Sequence, residues 1–419
     1  MKKLRIAVLG AGGREAALAW KLGMSPYCLS LERWLDASSS FEEIATFVEK
    51  KGIDLLLIGP EAPLVGGIVD FFHQRGLSKD LYVLAPSKAA AQLEGSKKWA
   101  KDFMRRHQIP TPEGKDFSRD SYAEGLRFLE AQSSPYVLKA SGLAQGKGVL
   151  LTESLEEAKQ ILHDMLFAQK FGTAGEEVLI ESFLGGRELS CFLFVAGSSY
   201  TMLPWAADYK RLKEQNRGDN TGGMGAVSPV PWVTKRLKTR IQERIIDPTL
   251  RGLSQEKIPY HGFLFIGLMC SGEDPYVLEY NVRLGDPETQ CILPRIQTDL
   301  VPFLWKTYKE GLPEEPLKLN NQSCLTLSMV SGGYPRKYEV GKKILGLDQI
   351  PKGVELFPAG MRKHGNEWLS AGGRVLNLSA LGKDLAQAQK KVYEAAQKIR
   401  WENLYYRRDI GDDLLADEV

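Results

Sequence analysis

Short apolar runs alternate with amphipathic stretches through the first part of the chain. Residues 4–9 (Leu-Arg-Ile-Ala-Val-Leu) read as a strand and residues 15–22 as a helix. Residues 41–51 carry apolar positions at helical spacing, and the apolar run 53–58 follows as a second strand. A further helix near 65–74 and a strand over 81–86 complete the pattern. Apolar strands separated by helices belong to a parallel sheet covered on both faces. Ligands of such sheets sit beyond the carboxyl ends of the strands. The loops expected there are 10–15 (Gly-Ala-Gly-Gly-Arg-Glu), 59–63 (Gly-Pro-Glu-Ala-Pro) and 85–87.

The pattern then changes. A helix over 96–107 leads to 109–112 (Ile-Pro-Thr-Pro), a break that marks a boundary. Strands are expected at 136–140 and 148–152, joined by the glycine-rich 141–147, and at 177–182, 189–195, 263–269 and 276–282. A long helix spans 234–253, with Thr234 as its N-cap. The polar, glycine-rich tract 206–231 is too long for a plain connection; loops of that length are usually functional or disordered. Near residue 320 the pattern shifts again. A strand at 323–331 ends in Gly-Gly-Tyr-Pro, and a strand over 374–380 and an amphipathic helix over 384–399 follow. The expected organisation is α/β: an N-terminal parallel-sheet domain at 1–92, a central domain at 93–319 and a small C-terminal α+β domain at 320–419.

Composition narrows the function classes. A chain of 419 residues exceeds one ordinary domain, and 43% hydrophobic content supports packed cores. The net charge of +3, from 55 basic and 52 acidic residues, lacks the basic excess of a dedicated nucleic-acid binder. Cys28, Cys191, Cys270, Cys291 and Cys324 are scattered, with no zinc-ligand spacing, and read as thiols in a reducing compartment. The apolar run behind the basic N-terminus stops at Gly10, too early for a signal-peptide core. No apolar stretch approaches the roughly 20 residues of a bilayer span. A soluble, cytoplasmic protein with neither nucleic acid nor membrane as partner is expected.

Four stretches carry candidate chemistry. In 139–148, Gly142, Gly146 and Gly148 let backbone N–H groups approach an anion, and Lys139 and Lys147 add charge. Taken alone, this stretch reads equally well as a flexible hairpin with two surface lysines. In 179–188, Glu181 and Glu188 flank a short extended segment that could meet a purine edge and ribose hydroxyls, or form an ordinary strand–turn–strand. In 276–290, strand alternation puts Glu279, Asn281 and Arg283 on one face. Such groups are costly to bury together unless they bind something. Magnesium takes one or two carboxylate-type ligands plus phosphate oxygens and water, which suits Glu279 and Asn281; Arg283 suits an adjacent anion. Finally, Asp208 and Lys210 precede a glycine segment at 218–226, which is either mobile and functional or simply disordered.

In order along nearly the whole chain, these segments resemble the glycinamide ribonucleotide synthetases, a family of ATP-grasp ligases. The resemblance rests on Gly-Gly-Arg-Glu at 12–15, Gly-Pro-Glu-Ala-Pro-Leu at 59–64, Gln-Leu-Glu-Gly-Ser-Lys at 92–97 and the loop at 139–149. It continues with Asn-Thr-Gly-Gly-Met-Gly-Ala at 220–226, Asn-x-Arg-x-Gly-Asp-Pro-Glu-Thr-Gln at 281–290, Gly-Gly-Tyr-Pro at 332–335 and Gly-Gly-Arg-Val at 372–375. It implies a Rossmann-like pre-ATP-grasp domain, a central ATP-grasp domain whose ATP-binding lobe covers about 112–188, and a small C-terminal domain. It also implies that ATP, glycine and 5-phosphoribosylamine give ADP, phosphate and glycinamide ribonucleotide through glycyl phosphate. ATP and magnesium (or manganese) are the implied cofactors, and a monomer or homodimer the implied assembly.

Carried over by position, Lys97, Lys139, Gly146 and Lys147 would contact the ATP phosphates. Glu181 would face the adenine edge and Glu188 the ribose, with Phe183 and Leu184 also among the ATP-binding residues. Glu279 and Asn281 would hold the metal. Gly12, Gly13, Arg14, Glu15, Pro60 and Glu61 would bind phosphoribosylamine. Asn220, Thr221, Gly222, Gly223, Met224, Gly225 and Asp286 would line the space where amine, carboxylate and γ-phosphate meet, with Arg283, Lys210 and Asp208 as the catalytic set.

The chain also departs from the family. Ala16 stands where relatives carry histidine, Ser141 where they carry aspartate and Asp219 where they carry proline. Glu181-Ser182 and Arg187-Glu188 each keep one glutamate of a pair. The short span between Pro26 and Phe41 implies loss of a strand and of a Pro-Gly-Asn loop. That shortening motivates one rival reading, an ATP-binding relative with weakened turnover; another ATP-grasp ligase that forms a different acyl phosphate is the nearest enzymatic rival. An NAD-dependent oxidoreductase, suggested by the opening strand–glycine turn, fails because Glu15 takes the place of the third glycine.

Overall fold

The computed structural model describes residues 1–34, 36, 38–77, 81–144, 148–168 and 172–416. The N-terminal sheet has four parallel strands in the order β2-β1-β3-β4: β1 (Leu4–Leu9), β2 (Cys28–Trp34), β3 (Leu55–Ile58) and β4 (Tyr82–Leu84). Apart from Arg5, β1 is buried throughout, as a central strand requires. Helix α1 (Gly13–Gly23) follows β1. Helix α2 (Phe41–Lys51) opens on a Ser40–Glu43 capping box and stops at left-handed Gly52. The single helix expected over 65–74 is two, α3 (Glu61–Gly66) and α4 (Ile68–Gln74), because Gly67 takes φ +92 between them. The chain leaves β1 for β2 on one side and returns to β3 on the other. A crevice therefore forms above the carboxyl end of β1.

Strand β2 corrects the expectation of a lost strand. It runs parallel to β1 from Cys28 to Trp34. As an edge strand it stays partly exposed and mixes polar with apolar residues, so an argument built on apolar runs passes over it. The Pro-Gly-Asn loop is indeed missing from the sequence, where six residues join Trp34 to Phe41.

Helices α5 (Gln92–Gly95) and α6 (Lys97–Arg106) lead into the central region; Ser96 Oγ caps α6 by accepting from Trp99 N. Strands β5 (Gly114–Ser118), β6 (Tyr136–Ala140), β7 (Val149–Thr152) and β8 (Glu177–Glu181) form an antiparallel sheet in the order β5-β8-β6-β7. Helices α7 (Tyr122–Glu130) and α8 (Leu155–Leu166) cover it through Phe117, Leu138, Leu162 and Ile180. Next come β9 (Arg187–Ala196) and β10 (Ser199–Met202).

The 206–231 tract is ordered. Strands β11 (Ala207–Asp208) and β14 (Gly225–Ser228) pair with each other and enclose a hairpin of β12 (Arg211–Lys213) and β13 (Arg217–Asn220). The expected long helix is α9 (Lys235–Ile241), one π turn at Gln242–Ile246 and α10 (Asp247–Gln255), with Thr234 Oγ1 accepting from Leu237 N. The wide turn precedes Pro248, whose ring and missing N–H disfavour regular helix. Strands β15 (His261–Ser271) and β16 (Asp274–Asn281) complete a second sheet, β10-β9-β15-β16.

Helices α11 (Glu288–Ile292) and α12 (Leu300–Glu310) bring the chain to β17 (Ser323–Ser331), β18 (Lys343–Ile344), β19 (Val354–Pro358), β20 (Met361–His364), β21 (Glu367–Ser370) and β22 (Arg374–Gly382). Helix α13 (Leu385–Ala396), β23 (Leu404–Tyr405) and α14 (Asp412–Ala416) follow. The last large sheet runs β11-β14-β17-β22-β19, so strands of the glycine tract join the C-terminal sheet across the boundary placed near 320. One apolar core reaches from Leu9 through Leu268 and Tyr280 to Leu327 and Leu378. Among the described residues no helix is long and apolar enough to cross a membrane, and the five cysteines are free thiols.

Candidate active site

A cleft lies between α6, β16 and the β6–β7 hairpin. Lys97 and Lys101, one turn apart on α6, both line it. Glu279, Asn281 and Arg283 line it from β16 and the residues just beyond. A bulge shapes that strand: Glu279 pairs with Gly267 and Val277 with Leu268, leaving Leu278 as an extra residue. The Leu278 carbonyl accepts from Lys139 Nζ at 3.3 Å. Glu181, 1% exposed at the end of β8, is ion-paired with both Lys101 and Lys139. Lys101 Nζ also donates to Thr111 Oγ1 and Pro112 O, each at 2.6 Å. Burial brings the Lys101 ammonium down to about 8, with Glu181 opposing. The sequence reading missed Lys101; its signal is the four-residue step from Lys97.

Lys97 Nζ donates to Gly142 O at 3.3 Å and its backbone N to Ser141 O at 2.9 Å, which ties α6 to the glycine loop. Gly146 and Lys147 lie outside the described residues. The 179–188 stretch is a strand–turn–strand. Glu181 points into the lysines, Phe183 is exposed, Leu184 is half-buried, and Glu188 pairs with Lys210 at 2.5 Å.

Asn281 Nδ2 lies 3.4 Å from Glu279 Oε1. Burial pushes the Glu279 carboxyl up, but Lys210, Lys97 and Lys139 outweigh it and hold it below the usual carboxylate range. Among the described residues no group of three or more His, Cys, Asp or Glu could cage a metal. One ionised carboxylate beside one carboxamide fits a magnesium ion that brings phosphate and water ligands with it.

Beyond the cleft, Asp208 Oδ1 is sealed from solvent without a partner, and burial together with Glu288 holds its carboxyl well above the usual range. Burial works against the Lys210 charge, but Glu188, Asp208 and Glu279 prevail and hold its ammonium above the usual value. Thr221 braces the turn that follows: its N and Oγ1 both donate to Lys210 O, at 2.8 and 2.7 Å, and Oγ1 accepts from Gly223 N at 3.0 Å. Gly223, at φ +110, faces Pro287, where a Cβ would come within 2.3 Å of the ring. Asn220 closes β13 and Gly225 opens β14. Met224, expected among the substrate contacts, instead buries its side chain completely in the core beneath β14. Arg283 reaches Glu94 at 2.9 Å through Nη2 and Glu61 at 3.7 Å through Nε, which is buried and makes no hydrogen bond.

The N-terminal crevice completes the site. Gly13 has no space for a side chain, since a Cβ would meet Asn377 Nδ2 at 2.3 Å and Gln290 Nε2 at 2.5 Å. Glu15 folds against Gly10 and Gly59 and accepts from Arg14 Nε at 2.6 Å. Arg14 Nη1 donates to Leu284 O at 3.1 Å, and Arg14 N to Asp286 Oδ2 at 3.3 Å. Pro60 precedes α3 and Glu61 opens it. Burial raises the Asp286 carboxyl, but Arg374 and Arg14 outweigh it and hold it low. Arg374 Nη1 donates to Asp286 O at 2.6 Å and to Gly222 O, and Tyr334 OH accepts from Gly222 N at 2.9 Å. The motifs at 332–335 and 372–375, given no role by the sequence reading, thus close on the glycine tract. Ala16, in the family's histidine position, is an interior methyl.

The chain matches three family models: phosphoribosylglycinamide synthetase N domain over residues 4–94, ATP-grasp (A) domain over 95–289 and C domain over 324–413. It is similar to the phosphoribosylamine–glycine ligase of Vibrio vulnificus (strain YJ016), at 40% identity over 99% of each chain. It is similar to that of Escherichia coli (strain K12), at 40% identity over 97% of this chain and 98% of the other. The crystal structure of the Thermotoga maritima phosphoribosylamine–glycine ligase superposes with a TM-score of 0.83 and 33% identity, over 97% of this chain and 100% of that one. With three family models in register along a fold of this kind, the chain belongs to the phosphoribosylglycinamide synthetase family of ATP-grasp ligases.

Proposed function

We propose that this site joins glycine to 5-phosphoribosylamine at the expense of ATP, releasing ADP, phosphate and glycinamide ribonucleotide. One observation carries the reading: a single cleft is lined by Lys97 and Lys101, by the Glu279–Asn281 carboxylate–carboxamide pair and by Arg283, on a chain of this family. ATP lies along the cleft with its phosphates at Lys97 and Lys139. Glu279 and Asn281 hold magnesium, which when bound neutralises charge on the phosphates.

Glycine's carboxylate is presented beside Arg283 and Lys210. Asp208 and Glu288, buried together, disfavour a second negative charge between them, and glycine's ammonium group is the cation that lets both ionise. A carboxylate oxygen attacks the γ-phosphorus, ADP leaves, and glycyl phosphate forms. The phosphoribosylamine nitrogen then attacks the acyl carbon and expels phosphate. The chain supplies positioning and fixed charge to both steps rather than a covalent nucleophile. The 218–225 glycine tract keeps water from the acyl phosphate.

The test is ADP release with and without each substrate. Release that requires both glycine and phosphoribosylamine is expected; release that needs neither overturns the reading.

A further inference from the structure

The carboxyl end of β2 holds a cation that this scheme leaves unused. Arg33 lies beside Val8 of β1, next to the turn into α1. Its Nη2 reaches Gly12 O at 3.5 Å, the outer limit of a hydrogen bond, and its Nε is sealed from solvent with no acceptor. Three guanidinium groups gather near Gly12. Arg14 has Glu15 at 2.6 Å and Arg374 has Asp286 at 3.4 Å, whereas among the described residues Arg33 has no carboxylate in ion-pair contact. A buried guanidinium N–H without an acceptor is costly, and an anion that brings its own oxygens removes that cost. Alongside, α1 begins at Gly12 with no side-chain cap, and in its first turn Arg14 N donates to Asp286 Oδ2 at 3.3 Å. Gln290 Oε1 and Asn377 Nδ2, in side chains with no solvent exposure, also lack partners, and both residues press on Gly13.

We propose that Arg33 anchors the 5-phosphate of phosphoribosylamine. With the Gly12–Arg14 turn it forms a phosphate subsite at the sheet end of the crevice and leaves the amine end toward Asp286. The assignment rests on the ligase reading above. Its chemistry is that of a planar guanidinium, which meets phosphate oxygens two at a time.

The experiment is steady-state kinetics of R33Q and R33M. The KM for phosphoribosylamine should rise at least tenfold while those for ATP and glycine stay within twofold, and R33K should recover part of the loss. An unchanged KM for phosphoribosylamine in R33Q and R33M would overturn the assignment and leave Arg33 a brace for the Gly12 carbonyl. If neither variant folds, R33K decides: a raised KM supports the subsite, and an unchanged one removes it. Calorimetry with ribose 5-phosphate and ribose gives a readout free of turnover. The wild type should bind the phosphate ester measurably tighter, and R33Q should lose that difference; equal binding of the two by the wild type would also overturn the proposal. Should ADP release prove independent of phosphoribosylamine, the ligase reading falls, while the ribose 5-phosphate comparison still decides Arg33.

Discussion

At the scale of single residues, the site is a set of buried charges that only make sense together. Glu279 is the clearest case. Its ionised form is kept by three lysines that belong to three different segments, Lys97, Lys139 and Lys210. Glu279→Gln should lower kcat about a hundredfold or more, since a metal-held charge stabilises the transferring phosphoryl group by several kcal/mol. Its thermal transition should remain cooperative. ADP release measured against rising magnesium checks this; full recovery at high magnesium would place the metal elsewhere. The strand-alternation argument located Glu279 and Asn281 because both side chains sit on one short segment. It could not locate Lys101 or Arg33, whose importance lies in what they face across the fold.

At the scale of elements, local sequence set most helices, while long-range partners set the irregular pieces. The polar hairpin β12–β13 is held by Arg407, 1% exposed, which donates to Arg211 O at 3.1 Å and Asn216 Oδ1 at 2.9 Å and pairs with Asp409 at 2.8 Å. Asp409 in turn accepts from Gln215 N at 2.7 Å. Nothing in the tract itself announces a clamp about 190 residues away. The β5-β8-β6-β7 sheet carries the opposite case, a carboxylate oxygen with no hydrogen-bond partner. Asp116 on β5 has a buried, unpaired Oδ1, and burial raises its carboxyl to about 6, with Arg105 opposing. The folded chain therefore holds this proton more tightly than the unfolded chain, whose carboxyl titrates near 3.9. Stability from this group is present in acid and is lost as pH climbs through about 6. Asp116→Asn should therefore melt higher than the parent at pH 7, with the gap shrinking toward pH 4. Parallel melting curves across that range would mean the carboxyl is solvated in the folded protein.

At the scale of the whole molecule, the candidate site is a meeting of three regions rather than a property of one. Arg374, at the start of β22, bonds Gly222 of the glycine tract and both the carbonyl and carboxylate of Asp286, which in turn accepts from Arg14 N of α1. Arg374→Gln should cut kcat by about tenfold to a hundredfold, the range seen when a positioning contact is lost, while the Kd for ADP moves less than threefold. An equal weakening of ADP binding would show that Arg374 acts through general stability.

The sequence by itself determined the α/β class, the parallel N-terminal sheet, the capped helices and the family. These follow from hydrophobic period, cap residues and motif order, which are local properties of the chain. It also put Glu279 and Asn281 side by side, because alternation along one strand is local too. The tertiary structure alone decided that Glu181 meets two lysines, that Met224 turns into the core, that β2 exists at a polar edge, and that, among the described residues, the buried Nε of Arg33 has no hydrogen-bond partner. Burial and charge pairing depend on which distant segments arrive at the same place, and no period along the chain encodes that arrival.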